Sequence, residues 1–285
     1  VKATFKTPEE ISHALDIYKN SIDAPDAARK LGCRTMTIWR LAKKHGIPSH
    51  GKSGPKNLIP FREDYFEAID TSEKAYWLGF IAADGCVRKG RGGAWSFAMT
   101  LATKDKDHLI KLAEALGLTA ASVRDSLTGK HPKCSLVLVR KSFAFHLIDK
   151  GIVQNKTYVG LDFPTYLTQD LMRDYLRGYL DGDGCWYHHR KNLVCSFISK
   201  RPEFLIAMRD YLTTECGVEP VRVCETNDCY RMVWEGRAQC QALFNFFYHD
   251  AIVYLERKKI KAEDGLVLQP IDKRRRSSKS HSKLK

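Results

Sequence analysis

Long apolar runs are missing from this chain of 285 residues. None reaches the length that a bilayer crossing needs, and the opening residues do not follow the charged-then-apolar order of a secretory signal. These absences exclude a helical membrane protein and set the expectation of a protein that stays inside a cell. No C-x-x-C pair occurs either. The nine cysteines are odd in number and scattered, so reduced thiols are expected rather than a disulfide framework. Cys224 and Cys229 with His188 and His189 come nearest to a zinc set, at a spacing that suits a tetrahedral site poorly. No intein splicing elements can be placed.

Acidic residues are absent from 273–285, where seven basic side chains stand. Residues 1–62 carry 12 basic and 5 acidic side chains, so the net charge of +14 sits at the two ends and the remaining 28 groups of each sign cancel. Basic ends point to a polyanionic partner. The middle binds one only if its charges are sorted onto different faces. The 271–285 tail is too poor in apolar residues to fold alone, and it adds salt-dependent affinity for phosphates.

Residues 1–47 read as three helices. Ile11, Leu15 and Tyr18 recur at helical spacing, and a short Ala-rich helix then leads through Gly32 into a second helix with Ile38 and Leu41 inward. That order is the helix-turn-helix pattern, similar to the small DNA-binding domains of resolvases and transposases. Gly46-Ile47-Pro48 closes the last helix. A helix of this kind enters the major groove by its N-terminal part. Arg34, Thr35, Thr37 and Arg40 are therefore candidate base readers, with Lys43 and Lys44 on phosphates. Residues 48–62, rich in Pro, Gly and Lys, have the composition of a basic linker.

The rest of the chain is organised by one stretch that occurs twice. Tyr76-Trp77-Leu78-Gly79-Phe80-Ile81-Ala82-Ala83-Asp84-Gly85-Cys86 is matched by Tyr175-Leu176-Arg177-Gly178-Tyr179-Leu180-Asp181-Gly182-Asp183-Gly184-Cys185, with Asp84 and Asp183 99 residues apart. Each copy reads as a helix with small residues at i, i+3 and i+4, a face where another backbone can come close. Packing the two faces together would bring Asp84 and Asp183 side by side at two negative helix ends. Like charges held there are costly unless cations bind, and hard oxygen donors suit magnesium.

The paired motifs resemble the signature of the LAGLIDADG homing endonucleases in their single-chain, two-motif form, over roughly 63–265. The resemblance implies an α+β fold of two pseudo-twofold half-domains, 63–165 and 166–270, whose antiparallel sheets lie across the DNA major groove. The order helix, hairpin, helix, hairpin, helix, readable once from Asp70 and again from about 166, agrees with it. Asp70 and Glu73 are the expected start signal of the first motif helix. The family's metal-binding acid falls on Asp84 and Asp183. Its sixth motif position is Asp181 in the second copy but Ala82 in the first. The family also places a lysine beside the metals in each half. Lys156, 72 residues after Asp84, and Lys258, 75 after Asp183, stand at matching offsets, and Arg257 and Lys259 compete with Lys258.

If the sheets face DNA, their polar sides must carry basic groups. Arg88, Arg91, Arg124, Lys133 and Arg140 are candidates in the first half, and His188, Arg190, Arg222 and Arg231 in the second. The implied activity is site-specific, magnesium-dependent hydrolysis of both strands of duplex DNA by a monomer, leaving short 3′ overhangs. A cytoplasmic setting in a bacterial or phage-infected cell goes with it, with organelle and nucleus left open. Two rivals share the motifs: a DNA-binding regulator that lost catalysis, and an intron RNA maturase.

Overall fold

The computed structural model describes residues 5–48, 59–90, 92–126, 131–190 and 192–268, except for the side chain of Thr157. The chain divides into two units, 1–59 and 60–285. The division falls within the expected linker, but that linker's last residues belong to the second unit: the Phe61 ring meets Phe143 edge-on at 5.4 Å and the Arg62 amide donates to Leu116 O at 2.8 Å. Residues 49–58 and 269–285, with most of the linker and the whole basic tail, lie outside the described residues.

The first unit is three helices, α1 (Pro8–Lys19), α2 (Ala24–Lys30) and α3 (Thr35–Lys44). Thr7 and Glu10 form a reciprocal capping box on α1, and Asp23 caps α2. Ala14, Tyr18, Ala27, Ala28, Ile38 and Ala42 make its core. After α3 the chain reverses at Gly46, whose φ of +68° is open to glycine without strain, and the Ile47 amide bonds back to Ala42 O at 2.9 Å.

The second unit is α+β and built twice. Its first half runs α4 (Ser72–Asp84), β1 (Gly85–Lys89), β2 (Trp95–Ala102), α5 (Lys106–Ala115), β3 (Arg124–Ser126), β4 (Lys133–Leu138) and α6 (Lys141–Asp149). After the short α7 (Lys156–Val159), the second half repeats the order: α8 (Gln169–Gly182), β5 (Cys185–His189), β6 (Asn192–Ser199), α9 (Pro202–Cys216), β7 (Val223–Glu225), β8 (Tyr230–Glu235) and α10 (Arg237–Tyr248). Each half folds into a four-stranded antiparallel sheet, ordered β1-β2-β4-β3 and β5-β6-β8-β7. The alternating run Phe97, Met99, Leu101 turns one face of the first sheet into the core, and Leu193, Cys195, Phe197 do so for the second.

Two local expectations differ from the structure. Thr71, not Asp70, caps α4, accepting from the Lys74 amide at 3.2 Å, while Asp70 pairs with the Lys74 ammonium at 2.8 Å. A further helix, α11 (Glu256–Leu268), follows the second half. Its charged sequence has little amphipathic signal. Tertiary packing holds it: Ala262 and Leu266 are buried, and Gly265 lies so close to Leu193 that an added Cβ would come within 2.5 Å of that side chain. Among the described residues no helix is long and apolar enough to cross a membrane.

Candidate active site

The two motif helices pack through their glycines. A Cβ on Gly79 would stand 1.9 Å from Tyr175 O, and one on Gly178 would stand 2.0 Å from Tyr76 O. Tyr76 and Gly79 correspond to Tyr175 and Gly178 across the 99-residue repeat, so the two contacts are one contact seen twice about a pseudo-twofold axis. Further along, a Cβ on Gly182 would lie 2.2 Å from the Ala83 methyl and 3.4 Å from Asp84 Oδ2. Both acids thus reach the C-terminal ends of α4 and α8 together. Glycine must follow each acid, because the chain turns into β1 and β5 against the preceding helical turn. An added Cβ would meet Ile81 O at 2.7 Å from Gly85 and Leu180 O at 2.7 Å from Gly184.

The electrostatics follow from this placement. Asp84 keeps an open outer side, but protein surrounds its inner side. That burial, reinforced by the Asp183 charge and opposed by Lys258 and Lys156, raises its pKa to about 6. Burial also raises the Asp183 carboxyl, against the pull of Lys156 and Lys258. Lys156 and Lys258 both come to the ends of the motif helices. The Lys156 ammonium donates to Ala83 O and the Lys258 ammonium to Gly182 O at 2.8 Å, matching positions in the two motifs. Burial lowers the pKa of each; Asp183 and Asp84 oppose it at Lys156, and chiefly Asp181 at Lys258. The competitors of Lys258 are engaged elsewhere. Arg257 makes a two-pronged ion pair with Asp105 at 2.6 and 2.8 Å, and Lys259 lies over the Tyr254 ring and 3.8 Å from Glu263.

A cleft of about 320 Å³ opens beside Asp183, lined among others by Ala83, Lys156, Tyr179 and Lys200. The donor set fits a hydrated hard cation: two mutually repelling carboxylates, open on one side, at two negative helix ends. Among the described residues no three His, Cys, Asp or Glu side chains converge on a metal position. The zinc alternative at Cys224, Cys229, His188 and His189 therefore gains no support, and the pair of acids suits an ion that keeps several waters.

Asp181 is buried at the centre of a polar network that sequence reading missed. It accepts from Tyr248 OH at 2.8 Å on one oxygen, and from Tyr76 OH at 2.8 Å and the Leu255 amide at 2.7 Å on the other. The Tyr76 hydroxyl gives its proton to Asp181, so His108 Nε2, 2.8 Å away, must be the protonated ring nitrogen that donates to it. The only sequence signal was an acid at the sixth position of one motif alone.

Strand register sorts the candidate sheet residues. In the first sheet Arg88 shares the outward face with Ser96, Lys133 with Ala102, and Arg124 with Ser135. In the second, Arg231 lies outward beside Ile198 and Cys224, its guanidinium 2.6 Å from Tyr187 OH. Exposed Arg222 precedes β7, and Arg190 occupies the β5–β6 turn at φ +57°. Two candidates are not brought to these faces. Arg140 follows β4, donates to Glu63 at 2.7 Å and covers the Phe61 ring. His188 pairs with inward Leu193, so the outward places on β5 belong to Cys185, Tyr187 and His189. Arg91 lies outside the described residues. Exposed Cys86 and Cys185, two residues beyond the acids and at matching places of the repeat, also face outward.

In the first unit Arg34, Thr35, Arg40, Lys43 and Lys44 are exposed and Thr37 is half-buried. The outward stripe of α3 also carries Met36 and Trp39, with the Lys43 ammonium 5.2 Å from the indole.

No family model matches the sequence, and no curated protein matches it. Comparison with solved structures gives a different result. The fold is similar to that of LAGLIDADG meganucleases. The meganuclease I-AabMI bound to uncleaved DNA matches with a TM-score of 0.47 and 13% identity, over 68% of this chain and 88% of that one. I-SmaMI bound to an uncleaved DNA target in the presence of calcium ions gives 0.46 and 13%, over 68% and 90%. The homing endonuclease I-LtrWI bound to target DNA gives 0.44 and 12%, over 72% and 90%. These likenesses concern the fold alone.

Proposed function

We propose that this protein is a site-specific endonuclease that hydrolyses both strands of duplex DNA with a divalent cation, magnesium by preference. One observation carries the reading: two acids remote in sequence are packed together at the ends of twin helices, each with a lysine at the carbonyl before or beside it. Asp84 and Asp183 would hold the cation. Bound there, it lowers the pKa of water and neutralises charge on the phosphate oxygens. The chain does the rest. The glycine contacts fix the spacing of the acids, the ammoniums of Lys156 and Lys258 favour the charged form of both carboxyls against the burial that raises their pKa, and the outward Arg88, Lys133, Arg124 and Arg231 offer themselves to base edges and phosphates. In the reaction a water oxygen bonds to phosphorus as the P–O3′ bond breaks. The water's proton passes to solvent and the leaving oxygen gains one from water, giving a 3′ hydroxyl and a 5′ phosphate.

The α3 stripe of the first unit extends the recognised site as a tethered helix-turn-helix. The test is recovery of cut molecules from a library of supercoiled plasmids with a randomised insert, incubated with the full chain and magnesium. Enrichment of one sequence, lost in Asp84→Asn and in Asp183→Asn while binding persists, supports the reading. Sequence-specific retention of plasmid without cutting would point to the regulator, and preference for structured RNA over duplex DNA would point to the maturase.

A further inference from the structure

A second cavity, of about 270 Å³, lies between the start of α5 and the start of α11, and neither the paired acids nor Lys156 and Lys258 line it. One buried group on its wall has a bond to give and nothing to give it to. His108, 4% exposed, is wedged among the rings of Tyr76, Trp77 and Phe80, with centroids 4.8–5.7 Å away. The hydrogen-bond chain that runs from Asp181 through Tyr76 fixes its proton on Nε2. Nδ1 is therefore a lone-pair acceptor, and a pKa pressed to about 3 by burial keeps the ring neutral near neutral pH. Among the described residues Nδ1 has no hydrogen-bond partner, and it does not belong to the polar atoms sealed from solvent, so it opens on the cavity. A bare acceptor in so buried a residue is costly and calls for an N–H or O–H from outside the chain.

The surroundings of that acceptor narrow what it takes. Tyr254, Leu255 and Ile260 supply apolar walls, while Arg257 and Asp105 satisfy each other. Four exposed charges remain, Lys104 and Lys111 with Asp107 and Glu256, and none of them forms an ion pair among the described residues. We propose that the cavity binds a ribonucleoside monophosphate whose base carries an exocyclic amine. The amine donates to His108 Nδ1, the base lies between the apolar walls, ribose hydroxyls donate to the carboxylates, and the phosphate meets the two ammoniums. The volume suits a nucleoside with its phosphate at the mouth and is too small for a dinucleotide. An anion alone would engage the lysines and leave Nδ1 bare.

The experiment titrates AMP into the full chain, carrying isotope-labelled histidine, and follows binding by calorimetry and by the NMR signals of the imidazole nitrogens. AMP should raise Tm and shift His108 Nδ1 more than any other histidine nitrogen. Purine riboside monophosphate, which has neither the amine nor a ring N–H, should bind about 10-fold more weakly. Lys104→Gln combined with Lys111→Gln, both on exposed side chains, should weaken AMP about 10-fold and leave adenosine binding unchanged. Equal affinity for AMP and the amine-free analogue would overturn the proposal. So would AMP bound with Nδ1 unmoved, which places it on another basic surface, or AMP bound no better than inorganic phosphate, which leaves an anion patch only. Absence of binding at millimolar AMP would mean that the cavity holds water, and the proposal fails. None of these readouts involves cutting of DNA, so the outcome is independent of the nuclease reading.

Discussion

At the scale of single residues, the acids set the energetics of the site. A carboxyl whose pKa is raised to about 6 in the folded protein, against an ordinary 3.8, favours folding when protonated. Its contribution is therefore present below the ordinary value and lost as pH rises through 6. Magnesium acts on the charged form. Tm should rise on adding magnesium, more at pH 8 than at pH 5, and the difference should vanish in Asp84→Asn; an equal shift at both pH values would contradict the assignment. His108 works in the opposite direction. Burial, with Lys111 next, presses its pKa to about 3, so the neutral ring is favoured in the fold. Its stability is complete above about 6.5 and lost as pH falls toward 3. Thermal melts of His108→Gln, whose amide can still donate to Tyr76, should start lower at pH 7 but fall less steeply with acid. The comparison with the parent isolates His108 from the opposing Asp84 contribution.

At the scale of elements, the site depends on α4 and α8 touching through backbone. Gly79→Ala and Gly178→Ala each drive a methyl into a carbonyl that belongs to a rigid helix rather than a flexible side chain. The helices must separate, and overpacking of this kind costs about 3 kcal/mol. A Tm lowered by roughly 6–12 °C is the expected outcome for either variant in calorimetry. Gly92→Ala, in open space within a turn, serves as the control. The strand pairs were legible because alternation is a short-range pattern. The face of each basic residue was not: a single step of register reverses it, which is why Arg88 and Arg124 lie outward while His188 lies on the side of Leu193. Arg140 was misplaced for a different reason. A carboxylate 77 positions earlier in the chain claims it, and no local pattern carries that information.

At the scale of the whole molecule, the chain has two units with separate cores, and the basic charge is concentrated toward its ends. Removing residues 1–59 should leave magnesium-dependent cutting intact while weakening DNA binding about 10–100-fold, with a shallower dependence on salt. Filter binding at several ionic strengths checks this, and loss of cutting by the truncated protein would show that the first unit does more than hold DNA.

The sequence by itself determined the duplication, the two acids with their glycines, the helix and strand order of each half and the three-helix unit, because helical and strand periods and turn chemistry act between near neighbours. Only the tertiary structure decided which carbonyl each lysine meets, what Asp181 holds, that α11 packs on the second half, and which charged side chains reach an outward face. Each of those depends on groups far apart in the chain meeting in one place, and packing, not local preference, sets such distances.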